Sequence, residues 1–341
     1  MDLILTYHVE GERETPSAQV FAEVERQVCL ADELGYHAAW FAEHHFHVHR
    51  GHLPNPLLYA LHLAGKTARI HLGSAVICTG LHHPLRLAED LITADVLSGG
   101  RLSIGLGSGS TAPEFAAFGV SKEDQAAEAR HARFAEQLEV LEQAWAGEPI
   151  AVHGQYVDVD VPALLPQPIR SLGDLLWIAA NSVPQAAVAG RRGYGVMLSR
   201  ERTLPETQAL LQAYREGRAE AELSPDGGRI AASRPMFVGE SDAAARRTAE
   251  RAVEIMVQRQ RETRPQYAHL PPPASFEEAC ERVQFLVGGP ETIAAAVDDL
   301  YERIRFSALH IQPRWQGLAP EAIEASITRF RRDAVPLLTV G

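Results

Sequence analysis

The sequence predicts an α/β protein of the (β/α)8 TIM barrel class, with insertions. Short β-rich runs alternate with longer helical patterns along the chain, and eight candidate strands result. Right-handed βαβ crossovers repeated in this way close into a barrel or form a doubly wound sheet, and we favour the barrel. The length of 341 residues suits one elaborated barrel, because such barrels often exceed about 250 residues as a single domain. We therefore expect one domain over residues 1–341.

The first half of the chain opens with a βαβ unit and continues in the same rhythm. Helical spacing of apolar residues and short β-rich runs predict a strand over 3–7, a helix over 20–34, a strand over 37–41, a helix over 55–68, a strand over 70–78, a helix over 84–97 and a strand over 101–106. A long amphipathic helix over 122–145 follows and ends at Gly147. Residues 156–161 alternate apolar side chains with aspartate, which is typical of an exposed hairpin strand.

The second half resumes the barrel pattern. The predicted elements are a strand over 175–180, a helix over 185–192, a strand over 194–198, a helix over 205–222, a strand over 230–238, a helix over 242–260, a helix over 291–303, a strand over 308–311 and a helix over 320–330. Residues 261–289 contain three consecutive prolines and are too long for a simple connection. We expect this segment, which follows the seventh strand, to form a lid or insertion over the barrel opening.

Composition and charge exclude several classes of protein. Hydrophobic residues make up 46% and charged residues 22%, as in ordinary globular proteins. The net charge of −12 repels phosphate backbones and anionic membranes, so neither nucleic acid nor a membrane is an expected partner. Cys29, Cys78 and Cys280 lie far apart and form no CxxC pair, which indicates a reducing compartment. With no secretory pattern and no apolar run of the roughly 20 residues that span a membrane, we expect a soluble cytoplasmic protein.

The first candidate for chemistry is the segment Glu43, His44 and His45. It directly follows the second predicted strand, where a barrel presents its catalytic loops. Side chains of adjacent residues in extended backbone point in opposite directions, so at most one of the two histidines faces the barrel axis. The other is then expected to form a local hydrogen bond.

The histidines of this region also allow a metal site. His45, His47 and His49 alternate, and His52 follows, as in metal-dependent barrel hydrolases. Such a site needs further ligands on later strands, and among the later histidines only His310 lies on a predicted barrel strand. Metal-dependent hydrolysis is therefore the minor alternative, and no metal is expected.

Two turns are candidates for binding a cofactor. The sequence GLGSGS leaves the fourth strand and includes Gly107 and Ser108, but Ser110 stands where a dinucleotide-binding fingerprint needs its third glycine. The alternative is a tight turn that needs positive φ. Asn181 and Ser182 precede a predicted helix, where hydroxyl, amide and backbone N–H groups form a phosphate cradle or an ordinary helix cap. The segment HHP, which begins at His82, precedes the next predicted helix. Capping of that helix and proline in its first turn are sufficient to explain this segment.

Taken in order, these motifs resemble the bacterial luciferase-like flavin-dependent monooxygenases. The resemblance covers nearly the whole chain, and WFAEHHF combined with LSGGR at this spacing is specific for the superfamily but not for one substrate. The matching stretches are LILTY, WFAEHHF, HLGSAV, HHPLRLAED, LSGGRLSIGLGSG, FAAFG, WIAANS, LVGGPETI and RFRRDAVPLL.

The resemblance implies a two-component monooxygenase. Reduced FMN, supplied by a separate flavin reductase, is expected at the C-terminal end of the barrel, where dioxygen forms a flavin 4a-peroxide that oxidises a small aldehyde or ketone-like substrate. A homodimer is expected by analogy with the family. Two alternatives stay open: hydride transfer with a deazaflavin coenzyme, and a flavin-binding barrel without catalysis.

The resemblance also implies roles for individual residues. His44 matches the catalytic histidine, and Glu43 and His45 hold it in position. Ala75 and Val76 match a non-proline cis peptide that lies under the flavin ring in relatives.

The expected cofactor phosphate site departs from the family pattern. Asn181 and Ser182 match the segment that binds the phosphate, and the Gly107–Ser108 turn is expected to contact the cofactor. Several relatives place a phosphate-pairing arginine where this chain has Ser108. Because a hydroxyl offers only a neutral hydrogen bond, either the affinity for the phosphate is weaker than in those relatives or another basic residue substitutes, and Arg191 and Arg192 are the candidates.

Overall fold

The computed structural model describes residues 1–11, 14–46, 52–263 and 265–340. Strands and helices alternate along the chain as the hydrophobic pattern predicts. The elements of the first half are β1 (Asp2–Tyr7), α1 (Ser17–Leu34), β2 (Ala38–Phe41), α2 (Pro56–Ala64), β3 (His71–Ser74), β4 (Ile77–Cys78), α3 (Pro84–Leu97), β5 (Leu102–Gly107), α4 (Ala112–Ala117), α5 (Ala127–Ala146), β6 (Ile150–His153) and β7 (Asp158–Val161).

The second half has the same alternation and ends in helices. Its elements are α6 (Leu172–Leu175), β8 (Leu176–Ala180), α7 (Val183–Arg191), β9 (Gly195–Leu198), α8 (Leu204–Glu220), β10 (Ile230–Val238), α9 (Asp242–Thr263), α10 (Pro265–Ala268), α11 (Phe276–Val283), β11 (Leu286–Gly288), α12 (Pro290–Ile304), β12 (Ala308–Gln312) and α13 (Pro320–Arg329). None of the described helices is long and apolar enough to cross a membrane.

Eight parallel strands form the predicted closed barrel. Their order is β1, β2, β3, β5, β8, β9, β10 and β12, and β12 pairs with β1 to complete the ring. The short strands β6 and β7 form a separate antiparallel hairpin, as the alternation over 156–161 indicates. The prediction of a (β/α)8 barrel is confirmed.

The barrel interior is filled by side chains rather than open as a pore. One apolar cluster inside the ring consists of Ile4, Ala38, Trp40, Trp177, Met197, Ala231 and Ala308. The Trp40 ring packs edge-on against Trp177 at 5.3 Å and against His310 at 4.3 Å between centroids. Because this layer closes the interior, a ligand is expected at the C-terminal ends of the strands, where barrel enzymes carry their sites. We call that end the barrel mouth.

The structure departs from the predicted elements at several places. The elements α4, α6 and β6 were not predicted, and α5 begins at Ala127 instead of residue 122. The single strand expected over 70–78 is divided into β3 and β4. The peptide bond between Ala75 and Val76, at this division, is cis as the resemblance implies.

The expected insertion over 261–289 contains the ordered elements α10, α11 and β11. Strand β11 pairs in parallel with Met236–Val238 of β10, and all three elements pack against α9.

Candidate active site

The residues singled out in the sequence lie together at the barrel mouth. Glu43 and His44 follow β2, the Ala75–Val76 bond lies between β3 and β4, Ser108 follows β5, and Ser182 follows β8. Parallel barrel strands all end at the same face, so turns far apart in sequence become neighbours.

Glu43 connects three segments of the barrel mouth through its side chain. Its buried carboxylate accepts hydrogen bonds from Nε2 of His45 at 2.8 Å, from Nε2 of His82 at 3.0 Å and from the backbone N–H of Cys78 at 2.7 Å. Burial by itself favours the neutral acid, but the hydrogen bonds from His45 and His82 outweigh it and hold the pKa of Glu43 below its usual value. Glu43 is therefore an ionised anchor that joins the loop after β2 to β4 and to the start of α3.

His45 is turned toward Glu43. The hydrogen bond to Glu43 raises the pKa of the His45 imidazole, and the backbone N–H of His45 donates to the carboxylate of Glu114 at 3.0 Å. Its ring packs edge-on against Phe118 at 4.8 Å between centroids. His45 is thus held by its neighbours on two sides, which suits the positioning role expected for it.

His44 points in the other direction. Its Nε2 lies 3.1 Å from Nδ1 of His8, and the two rings are stacked with centroids 5.3 Å apart. The His44 imidazole is only partly buried. The two adjacent histidines therefore separate as the sequence predicts: His45 joins the Glu43 anchor and His44 faces a second imidazole.

A glutamine joins the turns expected to bind the cofactor phosphate. Ser182 is the N-cap of α7, and its Oγ accepts a hydrogen bond from the backbone N–H of Gln185 at 3.5 Å. The Gln185 amide donates to Oγ of Ser108 at 3.0 Å and accepts from the backbone N–H of Asn181 at 3.2 Å. Gln185 thus links the turn after β5 to the turn after β8. Its role is not predictable from the sequence, because a glutamine in an amphipathic helix has the pattern of a solvated surface residue.

Two arginines reach these turns. Arg202 donates from Nη2 to the backbone carbonyl of Asn181 at 2.7 Å. Arg130 donates from Nη1 to the carbonyl of Gly109, and its buried Nε has no hydrogen-bond partner among the described residues. Positive charge from two side chains is therefore placed at the turns that precede α7 and follow β5.

The expected substitutes Arg191 and Arg192 are wrong for this role. They lie at the C-terminal end of α7, which is roughly 13 Å from its N-terminus at 1.5 Å per residue. Arg191 pairs with Glu220 at 3.3 Å and Arg192 pairs with Glu142. Proximity in sequence to Ser182 suggested them, but a helix carries consecutive residues away from its N-terminus.

Only part of the alternative metal site lies among the described residues. Within the described ranges, no group of three or more His, Cys, Asp or Glu side chains is arranged to hold a metal ion. His47 and His49 lie outside the described residues. His310 lies inside the barrel, where burial lowers the pKa of its imidazole to about 3 and keeps it neutral near pH 7.

The closed parallel barrel places this chain in the (β/α)8 class. Proteins of this class carry their sites at the barrel mouth, where this chain has its polar turns. The chain belongs to the luciferase-like monooxygenase family, because the family's sequence model matches residues 1–308.

Some proteins similar to this chain are named as flavin-dependent and others as F420-dependent. The crystal structure of the monooxygenase RslO1 from Streptomyces bottropensis covers 99% of both chains with a TM-score of 0.87 and 27% identity. The oxygenase component of the flavin-dependent trigonelline monooxygenase of Acinetobacter baylyi is 27% identical over 181 residues, which are 53% of this chain and 49% of that protein. An F420-dependent glucose-6-phosphate dehydrogenase of Kineococcus radiotolerans is 29% identical over 192 residues, or 55% of each chain. The chain spans about half the length of the first curated relatives that it matches.

Proposed function

We propose that this chain is the oxygenase of a two-component, FMN-dependent monooxygenase. It uses reduced FMN from a separate flavin reductase, together with dioxygen, to oxidise a small aldehyde or ketone-like substrate. The observation that carries the proposal is that one barrel mouth holds both a partly exposed imidazole, His44, and a set of hydrogen-bond donors around Ser182. A homodimer is part of the proposal by analogy with the family.

The residues of the mouth fit a flavin phosphate. The hydroxyl of Ser182, the backbone N–H of Val183 at the start of α7 and the guanidinium of Arg202 are donors for an anion in a chain whose net charge is −12. The unpartnered buried Nε of Arg130 is a further donor at the neighbouring turn. A Cβ at Gly107 would come within 2.8 Å of the Val76 side chain, so glycine at this position allows Val76 to pack closely against β5.

The chain's own residues have distinct tasks in this reaction. Bound reduced FMN supplies the electrons that activate dioxygen. His44 exchanges a proton with the reacting groups, since imidazole titrates near neutral pH. Glu43 keeps the loop that carries His44 attached to β4, and Ser182 with Arg202 holds the phosphate so that the ring has a fixed position.

A second candidate function is hydride transfer with a deazaflavin coenzyme, which the similarity to an F420-dependent dehydrogenase favours. A third, a flavin-binding barrel without catalysis, is disfavoured by the presence of His44 at the expected position. The two enzymatic candidates differ in their use of dioxygen, because a monooxygenase incorporates an oxygen atom into its product and a dehydrogenase does not.

An isotope experiment separates these functions. FMN binding is first measured by fluorescence titration, and absorbance of the purified holoprotein reports any bound deazaflavin. The chain is then combined with a flavin reductase, NADH, FMN and 18O2, and a panel of aldehydes and ketones is analysed by mass spectrometry. We expect saturable FMN binding and 18O in one class of product. Tight binding of a deazaflavin, with oxidation that incorporates no 18O, would contradict the monooxygenase proposal.

Arg202→Gln is expected to weaken FMN binding by about tenfold or more, because a charge-assisted contact to phosphate is worth about 1.5–3 kcal/mol. Binding of riboflavin, which lacks the phosphate, should not change. Arg191→Gln, at the other end of α7, is the matched control. Equal losses in the two variants, measured by calorimetry, would show that Arg202 acts only through overall charge.

Shortening the insertion between α9 and α12 is expected to uncouple the reaction. The C-terminal end of α11 is tied to the mouth, because Arg200, which follows β9, donates to the carbonyl of Val283 at 2.8 Å. A segment in this place excludes water and keeps reduced oxygen from escaping as hydrogen peroxide. The measurement is the ratio of hydrogen peroxide to oxygenated product in a variant with residues 267–283 replaced by a short Gly–Ser linker. An unchanged ratio in a variant that still binds FMN would mean that the insertion is not a lid.

A further inference from the structure

His8 and His44 form a direct contact between two imidazoles at the barrel mouth. His8 follows β1 and His44 follows β2, and these neighbouring strands pair in register with Tyr7 opposite Phe41. The distance of 3.1 Å between Nδ1 of His8 and Nε2 of His44 is that of a hydrogen bond, so one of these two nitrogens carries a proton and the other accepts it. His8 is not part of any motif recognised in the sequence.

The backbone that carries His8 is held in an unfavourable conformation. Val9 is fully buried and has a φ of +47°, a left-handed value that β-branched residues rarely adopt. The next residue is fixed by an ion pair, because the buried carboxylate of Glu10 accepts a hydrogen bond from Arg259 at 3.0 Å. Phe46, in the loop after β2, also has a positive φ of +58°. Such strain persists only where surrounding contacts impose it, and it is concentrated at functional sites.

We propose that His8 is a positioning residue for His44: it accepts a hydrogen bond from Nε2–H of His44, and so fixes the orientation and the tautomer of that imidazole. In this tautomer the lone pair of neutral His44 is on Nδ1. When His44 takes up a proton, neutral His8 stabilises the imidazolium through the same hydrogen bond. The catalytic consequence rests on the proposed role of His44 in proton exchange.

Because His8 contacts His44 through Nδ1, only some substitutions of His8 preserve the hydrogen bond between the two residues. An asparagine side chain places its amide oxygen close to the position of Nδ1 of histidine, whereas glutamine places it near Nε2. Because the contact uses Nδ1 of His8, His8→Asn should keep the acceptor and His8→Gln should displace it. His8→Leu removes the acceptor and keeps an apolar group against the His44 ring. A purely packing role predicts the opposite order, with leucine as the best substitute.

The first test uses the chain without cofactor or substrate. Two-dimensional 1H–15N spectra of protein labelled with 15N-histidine report the tautomer of each imidazole, and His44→Gln identifies the signals of His44. We expect one fixed Nε2–H tautomer in the wild type and in His8→Asn, and a mixture of tautomers in His8→Leu and His8→Gln. The control is His62→Leu, which removes a surface histidine paired with Glu25 at 2.7 Å. Unchanged His44 signals in His8→Leu would overturn the inference.

The second test concerns turnover with a substrate that the wild type oxidises. In His8→Leu, kcat should fall about tenfold or more while KM and FMN affinity stay within about twofold, because proton transfer is weakened and binding is not. His8→Asn should recover most of the loss. Equal losses in the Asn and Gln variants, or a loss of FMN binding, would contradict a positioning role.

If the spectra show the expected tautomers but the wild type oxidises no substrate, the proposed function is contradicted and the inference about His8 and His44 is still supported. Should His8→Leu not fold, the Asn and Gln variants still give the comparison.

Discussion

Replacing His44 with alanine is expected to lower turnover by roughly 100-fold or more and to leave the fold and FMN binding intact. A positioned group that transfers a proton in the transition state contributes about 100-fold to 10,000-fold to the rate. The His44 side chain is partly exposed, and its contact with His8 lies at the mouth rather than in the apolar core, so its loss costs little packing. The backbone N–H of His44 still donates to the carbonyl of Leu53 in the variant.

Steady-state oxygenation with 18O2 measures this effect, and circular dichroism with FMN titration verifies the fold. His83→Ala is the matched control, because His83 is an exposed histidine at the mouth that begins α3 without a side-chain cap. We expect His83→Ala to keep nearly full activity. Wild-type turnover in His44→Ala would remove His44 from the reaction.

Ser182→Asp is expected to weaken FMN binding by about 100-fold or more. Near a protein surface, two unit charges about 4 Å apart interact with roughly 4 kcal/mol, and at the proposed site the new carboxylate would face a phosphate of the same sign. Aspartate is as good an N-cap as serine and suits the positive end of the helix dipole, so α7 itself should be at least as stable. The loss of binding is therefore not expected to arise from unfolding.

Isothermal calorimetry with FMN and with riboflavin tests this prediction. Ser275→Asp is the matched control, since Ser275 is likewise the N-cap of a helix, α11, and accepts a hydrogen bond from the backbone N–H of Glu278 at 3.2 Å. The control adds the same charge without affecting FMN. If Ser182→Asp binds FMN as tightly as the wild type, the phosphate lies elsewhere at the mouth.

Local signals in the sequence predict the barrel elements well. Pro84 at the start of α3 and Gly147 after α5 mark helix ends through backbone constraints that act within a few residues. The break between β3 and β4 has no such signal in the residue pattern, because HLGSAVIC is apolar enough to suggest one continuous strand. The helix α11 was also not predicted, because its eight residues follow a proline-rich stretch that is typical of a loop.

The residues of the candidate site that directly follow a barrel strand could be predicted from the sequence. Those that reach the site through a long side chain from another element could not. Glu43 and His44 are adjacent to β2, so their place at the mouth follows from topology alone. Gln185 and Arg202 act through side chains that reach a neighbouring turn, and that reach depends on how the loops pack. His82 was explained as part of a helix start, yet its imidazole contacts Glu43. The sequence has no feature that distinguishes these uses.

The buried carboxylate of Glu43 limits how this barrel can be redesigned. Substrate range in barrels is usually altered by exchanging one loop at a time, because loops vary independently of the scaffold. Here the loop after β2 cannot be exchanged alone: without the carboxylate, the buried N–H of Cys78 and the imidazoles of His45 and His82 lose their shared acceptor. A chimera that transfers Glu43, His45 and His82 together as one unit keeps all three hydrogen bonds and avoids this loss.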